Sequence, residues 1–91
     1  MKEEISDELR IFFARSKLRL NVLKLLREKP QIASFLANKM QNHREVISRI
    51  FLDLQEIGLA KCKNPESPSF RYYKITKKGR NALEELKEIF I

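Results

Sequence analysis

Hydrophobic residues recur at helical spacing along most of the chain, and the clearest pattern lies near its centre. Between residues 44 and 57 the apolar positions fall three and four residues apart, as expected for one buried side of an α-helix. These positions are Ile47, Ile50, Phe51, Leu54 and Ile57. Gly58 follows directly and predicts the end of the helix, because glycine readily adopts the left-handed conformation found there. The pattern therefore predicts a helix over residues 44–57.

Two helices are predicted at the start of the chain. The first covers residues 5–14, with Ser6 as its N-cap, and the second covers residues 17–28. Their apolar faces consist of Ile5, Leu9, Phe12 and Phe13 in the first helix and of Leu18, Val22, Leu25 and Leu26 in the second, which Leu20 and Leu23 widen. Ser16 can cap a fresh start for the second helix. The alternative is one long bent helix over residues 7–28.

A third, shorter helix completes a helix-turn-helix. Pro30 ends the preceding helix, since proline does not fit a helix interior, and residues 32–40 then return to helical spacing. The apolar positions of this helix are Phe35, Leu36 and Met40. Only residues 41–43 separate it from the central helix, so the two are joined by a tight turn. Asn42 is predicted to take the left-handed conformation there, and either His43 or Asn42 to cap the central helix.

After Gly58 the pattern alternates, which predicts β-structure. One strand is predicted over residues 59–63 and a return strand over residues 70–75, joined by a loop with two prolines. Thr76 then caps a last helix over residues 77–90. The apolar face of that helix consists of Ala82, Leu83, Leu86, Ile89 and Phe90. The chain is thus predicted to be mainly α with a small β-hairpin, in the order α-α-α-α-β-β-α of a winged helix-turn-helix.

Composition narrows the class of protein. The 91 residues suit a single domain over residues 1–91, and no apolar run is long enough to span a membrane or form a signal peptide. One cysteine cannot form an internal disulfide, so a cytoplasmic protein is expected. A single histidine and a single cysteine do not supply a zinc site, and no nucleophile–base pair or phosphate-binding loop is evident. We therefore expect no metal, no cofactor, no catalytic residue and no enzyme activity.

The positive charge of the chain is concentrated in two blocks. The formal net charge is +7, and residues 10–29 and 61–80 each carry seven basic residues against one acidic residue. Both ends of the chain are acidic. This segregation favours a polyanionic partner, with nucleic acid preferred to a membrane surface. The alternative is that the basic residues only form solvated faces.

Five short motifs, in the same order along the chain, resemble those of ArsR- and MarR-type transcriptional regulators of archaea and bacteria. Residues 19–26 are similar to R-L-x-I-L-x-L-L, 35–37 to E-L-A, 46–49 to T-V-S-R, 54–59 to L-x-x-x-G-L, and 73–79 to Y-x-L-T-x-K-G. The resemblance covers about residues 17–83 and implies a winged helix whose central helix binds DNA. Ile32 stands where these families often place a threonine cap, and the metal-sensing cysteines of many ArsR members are missing, so their metal chemistry is not carried over.

The predicted interface with double-stranded DNA combines the central helix and the hairpin. Its side chains are Asn42, His43, Arg44, Ser48, Arg49, Lys61, Lys63, Arg71 and Lys74. Arg44, Ser48 and Arg49 are expected to contact base edges in the major groove, and the four hairpin cations to contact phosphate or the minor groove. Glu45 can accept a hydrogen bond from cytosine or pair with Arg49 four residues on, and we favour the pair.

A homodimer is expected through the terminal helices. The interface residues are predicted to be Ile5, Leu9, Phe12, Phe13, Leu83, Leu86 and Phe90. For the two adjacent phenylalanines, closing the core of the same chain is an equal alternative. Two other functions remain open: an architectural protein that binds DNA without sequence preference, and a winged-helix module that binds proteins instead of DNA.

Overall fold

The computed structural model describes the backbone of residues 7–89 and the side chains of residues 7–86. Within residues 7–89 the chain forms five helices and three strands. In chain order they are α1 (Asp7–Ala14), α2 (Lys17–Glu28), β1 (Gln31–Ile32), α3 (Ala33–Met40), α4 (Arg44–Glu56), β2 (Ala60–Cys62), β3 (Tyr72–Ile75) and α5 (Lys77–Ile89). The fold is mainly helical with a small antiparallel sheet. The predicted cap Ser6 lies outside the described residues.

The break between α1 and α2 is produced by Ser16. This residue is extended, with φ −154° and ψ 107°, and its hydroxyl accepts a hydrogen bond from the Arg19 backbone N–H at 3.3 Å. The fresh start predicted at residue 17 is therefore confirmed, and the long bent helix is wrong. Arg19 also donates from Nη1 to the Phe12 carbonyl at 2.9 Å, and its guanidinium carbon lies 4.1 Å from the centroid of the Phe12 ring. One side chain thus holds α1 against α2.

Strand β1 was not predicted from the sequence. Gln31 pairs with Tyr73 and Ile32 with Tyr72, so the sheet has the order β1-β3-β2 and is not a two-stranded hairpin. Ile32 therefore precedes α3 in extended conformation, where the prediction had placed it inside the helix. Two residues are too short for an alternating pattern to show, and the pairing partner lies far along the chain. Ile32 provides no side-chain cap for α3, as expected from its lack of a hydroxyl.

The buried amide of Gln31 leads to a stability prediction. Gln31 is only 7% exposed, and its Nε2 has no hydrogen-bond partner among the described residues. We expect Gln31→Met to raise the free energy of unfolding by about 1 kcal/mol, because an unsatisfied buried donor carries its full desolvation cost. Urea denaturation followed by circular dichroism measures the change. Gln31→Glu has a similar shape but buries a charge, and should be less stable than the wild type. A Gln31→Met variant less stable than the wild type would contradict the conclusion that Nε2 is an unsatisfied buried donor.

The core lies between the helices and the inner face of the sheet. Its largest fully buried side chains are Phe51, Leu23, Leu26, Leu36, Ile47, Leu54, Leu59, Leu86 and Val22. The buried face of α2 is therefore rotated about the helix axis relative to the predicted face, and Leu23 lies at its centre. Phe35, predicted as an apolar core position of α3, is 63% exposed. Leu36 and Ala37 face inward in its place, and a helix of eight residues is too short for its apolar period to show which face is buried.

The predicted dimer residues divide into three groups. Phe13, Leu83 and Leu86 are at most 4% exposed and belong to the core of their own chain, because α1 and α5 both pack against α2. This burial corrects their assignment to an interface between subunits. Leu9 and Phe12 are half-buried against the same core. Ile5 and Phe90 lie outside the described residues.

Hydrogen bonds join the end of α4 to the start of α5. Thr76 donates from its hydroxyl to the Gly58 carbonyl at 2.6 Å, and its backbone N–H donates to the Leu59 carbonyl at 3.0 Å. The same hydroxyl accepts from the Gly79 backbone N–H at 3.0 Å, which makes Thr76 the N-cap of α5 as predicted. Lys78 Nζ donates to the Ile57 carbonyl at 3.0 Å. Residues at the start of α5 thereby bind the carbonyls of the three residues that directly follow α4.

Candidate nucleic-acid interface

The turn between α3 and α4 is held by backbone geometry. Gln41 takes the left-handed conformation, with φ 55° and ψ 49°, and the Asn42 backbone N–H donates to the Ala37 carbonyl at 2.9 Å. The prediction that Asn42 would be the left-handed residue is therefore wrong. Its side-chain oxygen instead accepts a hydrogen bond from the His43 backbone N–H at 2.8 Å. His43 is exposed and precedes α4 in extended conformation, without a side-chain cap bond.

Helix α4 is anchored on one side and exposed on the other. Ile47, Ile50, Phe51 and Leu54 are buried, and the Phe51 ring lies 4.8 Å from the Tyr73 ring, centroid to centroid. The buried stripe predicted for this helix is confirmed, with Ile57 half-buried at its end. The helix ends at left-handed Gly58, with φ 82°. The predicted base-contacting residues Arg44, Ser48 and Arg49 are all exposed.

An open groove of about 470 Å³ runs between α4 and the junction of α1 with α2. It is lined by Arg15, Ser16, Leu18, Arg19, Glu45, Val46, Arg49, Ile50 and Asp53. Arg19 lies 3.9 Å from Asp53, so this pair links α2 to α4. The groove brings Arg49 onto the same surface as Arg15. Part of the first basic block is therefore next to α4, a proximity that the sequence did not reveal.

The favoured ion pair between Glu45 and Arg49 is not formed. In the described part of the chain the ion pairs are Arg10 with Asp7 and Arg19 with Asp53. Both members of the expected pair are exposed, where a pair at this spacing gains only a few tenths of a kcal/mol, about 0.3–0.5. The Arg49 guanidinium thus has no hydrogen-bond or ion-pair partner among the described residues and is available to a ligand.

Three lysines share one face of the hairpin. Lys61 pairs directly with Lys74 across β2 and β3, and the Lys63 backbone N–H donates to the Tyr72 carbonyl at 2.7 Å in the same register. Directly opposed residues, and residues two apart on one strand, point to the same side of a sheet. Lys61, Lys63, Tyr72 and Lys74 therefore form one surface, which we call the lysine face. Tyr73 and Ile75 occupy the buried face.

The lysine face carries a structural cost. Like charges directly opposite each other across two strands destabilise the pairing, and Lys61 and Lys74 are such a pair. Among the described residues, no acidic side chain forms an ion pair with any of the three lysines. An external anion would relieve this repulsion. The three lysines are therefore unfavourable for the stability of the isolated chain but favourable for contact with a polyanion.

Asn64 organises the loop that joins the two strands. Its Oδ1 accepts from the Tyr72 backbone N–H at 2.8 Å, and its Nδ2 donates to the Phe70 carbonyl at 3.1 Å. Arg71, predicted to contact DNA, donates from Nε to the Ser67 carbonyl at 2.8 Å, so part of its guanidinium is committed to the loop. Sequence reasoning did not single out Asn64, although asparagine directly after a strand is a known turn signal.

Phe70 also departs from its prediction. It was placed in the return strand, but β3 begins at Tyr72, and Phe70 has a left-handed φ of 49°. Burial raises the pKa of the Tyr73 hydroxyl above its usual 10.0, with the Cys62 thiol adding to the shift and Arg71 opposing it. Tyr73 is therefore a neutral packing residue at physiological pH.

Within the described part of the chain, no three His, Cys, Asp or Glu side chains cluster as a metal site would require. None of the helices formed by residues 7–89 combines the length and apolar character needed to cross a bilayer.

No protein-family model matches the chain, and no curated protein is significantly similar to it. We therefore infer its function from α4, the groove and the lysine face.

Proposed function

We propose that this protein is a winged-helix DNA-binding protein that regulates transcription. Helix α4 would enter the major groove, and the β2–β3 hairpin would lie as the wing on the neighbouring backbone. The observation that carries the proposal is the lysine face, which opposes Lys61 to Lys74 without an acidic partner among the described residues. The hairpin that carries this face follows directly after α4, on which Arg44, Ser48 and Arg49 are exposed. A polyanion is the ligand that such a surface fits.

Helix α4 has the build of a helix that selects a sequence. A major groove about 12 Å wide admits one α-helix, and α4 is held from behind by its buried stripe. Arg49 can donate two hydrogen bonds to guanine, and Arg44 and Ser48 lie on exposed positions near it. The helix itself carries two basic and three acidic residues, so it does not supply the attraction. We assign attraction to the lysine face and to Arg15, and sequence choice to α4.

The order of elements supports the winged-helix assignment. Helices, a helix-turn-helix, a hairpin and a closing helix follow one another, and β1 ties the hairpin to the start of α3. The five motifs that resemble those of ArsR- and MarR-type regulators fall on the corresponding elements.

Selection of bound sequences from random duplex DNA tests the proposal. At low salt the protein should enrich one family of sequences, and its affinity should fall steeply as salt is raised. Binding without enrichment would replace the regulator with an architectural protein. Failure to bind any duplex at low salt would overturn DNA binding altogether and favour a protein-interaction module.

Arg49→Ala should weaken binding to the selected sequence by about 1–3 kcal/mol and relax the preference at one base position. The physical reason is the loss of a guanidinium that has no other partner among the described residues. Fluorescence anisotropy with the selected duplex and its single-base variants measures both effects. Arg27→Ala is the matched control, since Arg27 is an exposed arginine in the last turn of α2, at the end away from the groove. Equal behaviour of the two variants would refute the role of Arg49.

We further propose a homodimer that binds two half-sites about 34 Å apart. With Phe13, Leu83 and Leu86 in the core, the exposed large apolar residue among the described residues of α1 is Ile11, which is 53% exposed. A palindromic selected sequence and a dimeric mass in analytical ultracentrifugation would support this assembly. A monomeric mass together with a selected sequence that has no repeated half-site would contradict the homodimer.

A further inference from the structure

We propose that Phe70 is a wedge that inserts between base pairs from the minor groove and kinks the DNA beneath the hairpin. This inference rests on the proposed function and names the part of the hairpin that deforms the duplex. Proteins that bend DNA commonly place an apolar side chain between two base steps, which unstacks them and opens the minor groove. Phe70 has the exposure, the fixed position and the charged surroundings that this action needs.

Exposure is the first observation. The Phe70 side chain is 63% exposed and lies outside the hydrophobic core formed by the described residues. An exposed phenyl ring adds little to the stability of the fold, since the hydrophobic effect rewards only area removed from water. The ring is therefore an apolar surface at the end of the loop that is available to a partner.

The backbone of Phe70 is held in a disfavoured conformation. Its φ of 49° is left-handed, which is unfavourable for any residue with a Cβ. Two hydrogen bonds of the Asn64 side chain, to the Phe70 carbonyl and to the Tyr72 N–H, fix the chain on either side of Arg71. The ring is thus displayed from an ordered loop, and less conformational entropy is lost when it inserts. Strain of this kind is concentrated at functional positions in proteins.

The charges around the ring favour DNA over other partners. Residues 60–75 carry Lys61, Lys63, Arg71 and Lys74 against the single acidic residue Glu66. A minor groove presents phosphates on both edges and stackable bases between them. That pattern complements an aromatic ring flanked by cations. An apolar protein surface would match the ring but not the cations.

The test measures bending and unstacking separately from affinity. A duplex carrying a donor and an acceptor at its ends reports bending by energy transfer, and 2-aminopurine at successive positions reports unstacking. The proteins compared are the wild type, Phe70→Ala, Phe70→Leu and the control Phe35→Ala. Phe35 has the same 63% exposure but lies on α3, outside the hairpin. A fourth variant, Phe70→Gly, suits the left-handed backbone and should unfold at an equal or higher temperature than the wild type.

We expect the wild type and Phe35→Ala to bring the duplex ends together and to raise 2-aminopurine fluorescence at one step. Phe70→Ala and Phe70→Gly should bind about tenfold more weakly and lose both signals, while Phe70→Leu retains part of them. Bending by Phe70→Ala equal to that of the wild type would overturn the wedge and leave DNA binding intact. A wild type that binds without bending or unstacking would do the same. A wild type that binds no duplex would refute the proposed function instead.

Discussion

Gly79→Ala is expected to lower the free energy of unfolding by about 3 kcal/mol, a large fraction of the stability of a small domain. A Cβ at this position would overlap the Leu59 carbonyl oxygen and would lie 2.6 Å from Cγ1 of Ile75. The Leu59 carbonyl belongs to the backbone and accepts a hydrogen bond from Thr76, so no rotamer change can move it aside. The variant should also disturb the start of α5, which the Gly79 N–H helps to cap.

The sign of this effect is diagnostic. Alanine is favoured over glycine in a helix by about 1 kcal/mol. If no atom lay close to Gly79, which is in the first turn of α5, the same change would therefore stabilise the protein. Urea denaturation followed by circular dichroism gives the difference. Arg80→Ala, at the adjacent exposed position, is the control and should change stability by less than about 0.5 kcal/mol. A Gly79→Ala protein as stable as the control would refute the close approach of α5 to Leu59.

Replacing Lys61 and Lys74 together by glutamate should weaken DNA binding about 100-fold at 50 mM salt. The slope of log affinity against log salt is about −0.9 for each phosphate contact, so losing two contacts should make it less steep by about 1.8. Anisotropy titrations over a salt series measure both quantities. The loss should affect all duplex sequences alike, because phosphate contacts carry no base information.

Folding and binding should respond in opposite directions to the single change Lys61→Glu. The new glutamate would face Lys74 directly across the strands, which replaces repulsion by attraction and should stabilise the hairpin by about 0.5 kcal/mol.

The matched control for the double variant is Lys24→Glu with Lys29→Glu, which changes the net charge equally at exposed positions off the hairpin. If both double variants lost affinity to the same extent, total charge rather than the lysine face would be the determinant.

Much of the helical framework could be predicted because its signals are local. The buried stripe of α4 recurs over several turns, and Gly58, Ser16 and Thr76 act through bonds to residues close by in sequence. Strand β1 has no such signal, since two residues acquire their strand identity only by pairing with β3. The left-handed residue between α3 and α4 was placed one position late, because Gln41 is held there by where α3 ends rather than by its own preference.

The candidate site was predicted less completely than the fold. Exposure of Arg44, Ser48 and Arg49 follows from the helical period, which the sequence displays. Two other features depend on contacts through space, namely the groove that joins Arg15 to Arg49 and the use of Arg71 within its own loop. The role of Asn64 was missed for the same reason, since its partners become neighbours only when the hairpin closes.

The hydrogen bonds from Thr76 and Lys78 to the end of α4 have a mechanical consequence. They join the ends of two helices separated by the whole hairpin, so opening either helix at this junction breaks bonds to the other. Moving α4 away from the start of α5 to improve its fit to a ligand therefore costs about 0.5–1.5 kcal/mol for each hydrogen bond broken. Under the proposed function, part of the adjustment then falls to the duplex. Base pairs that no side chain touches would then influence binding through their own flexibility, with easily kinked pyrimidine–purine steps preferred beneath the hairpin.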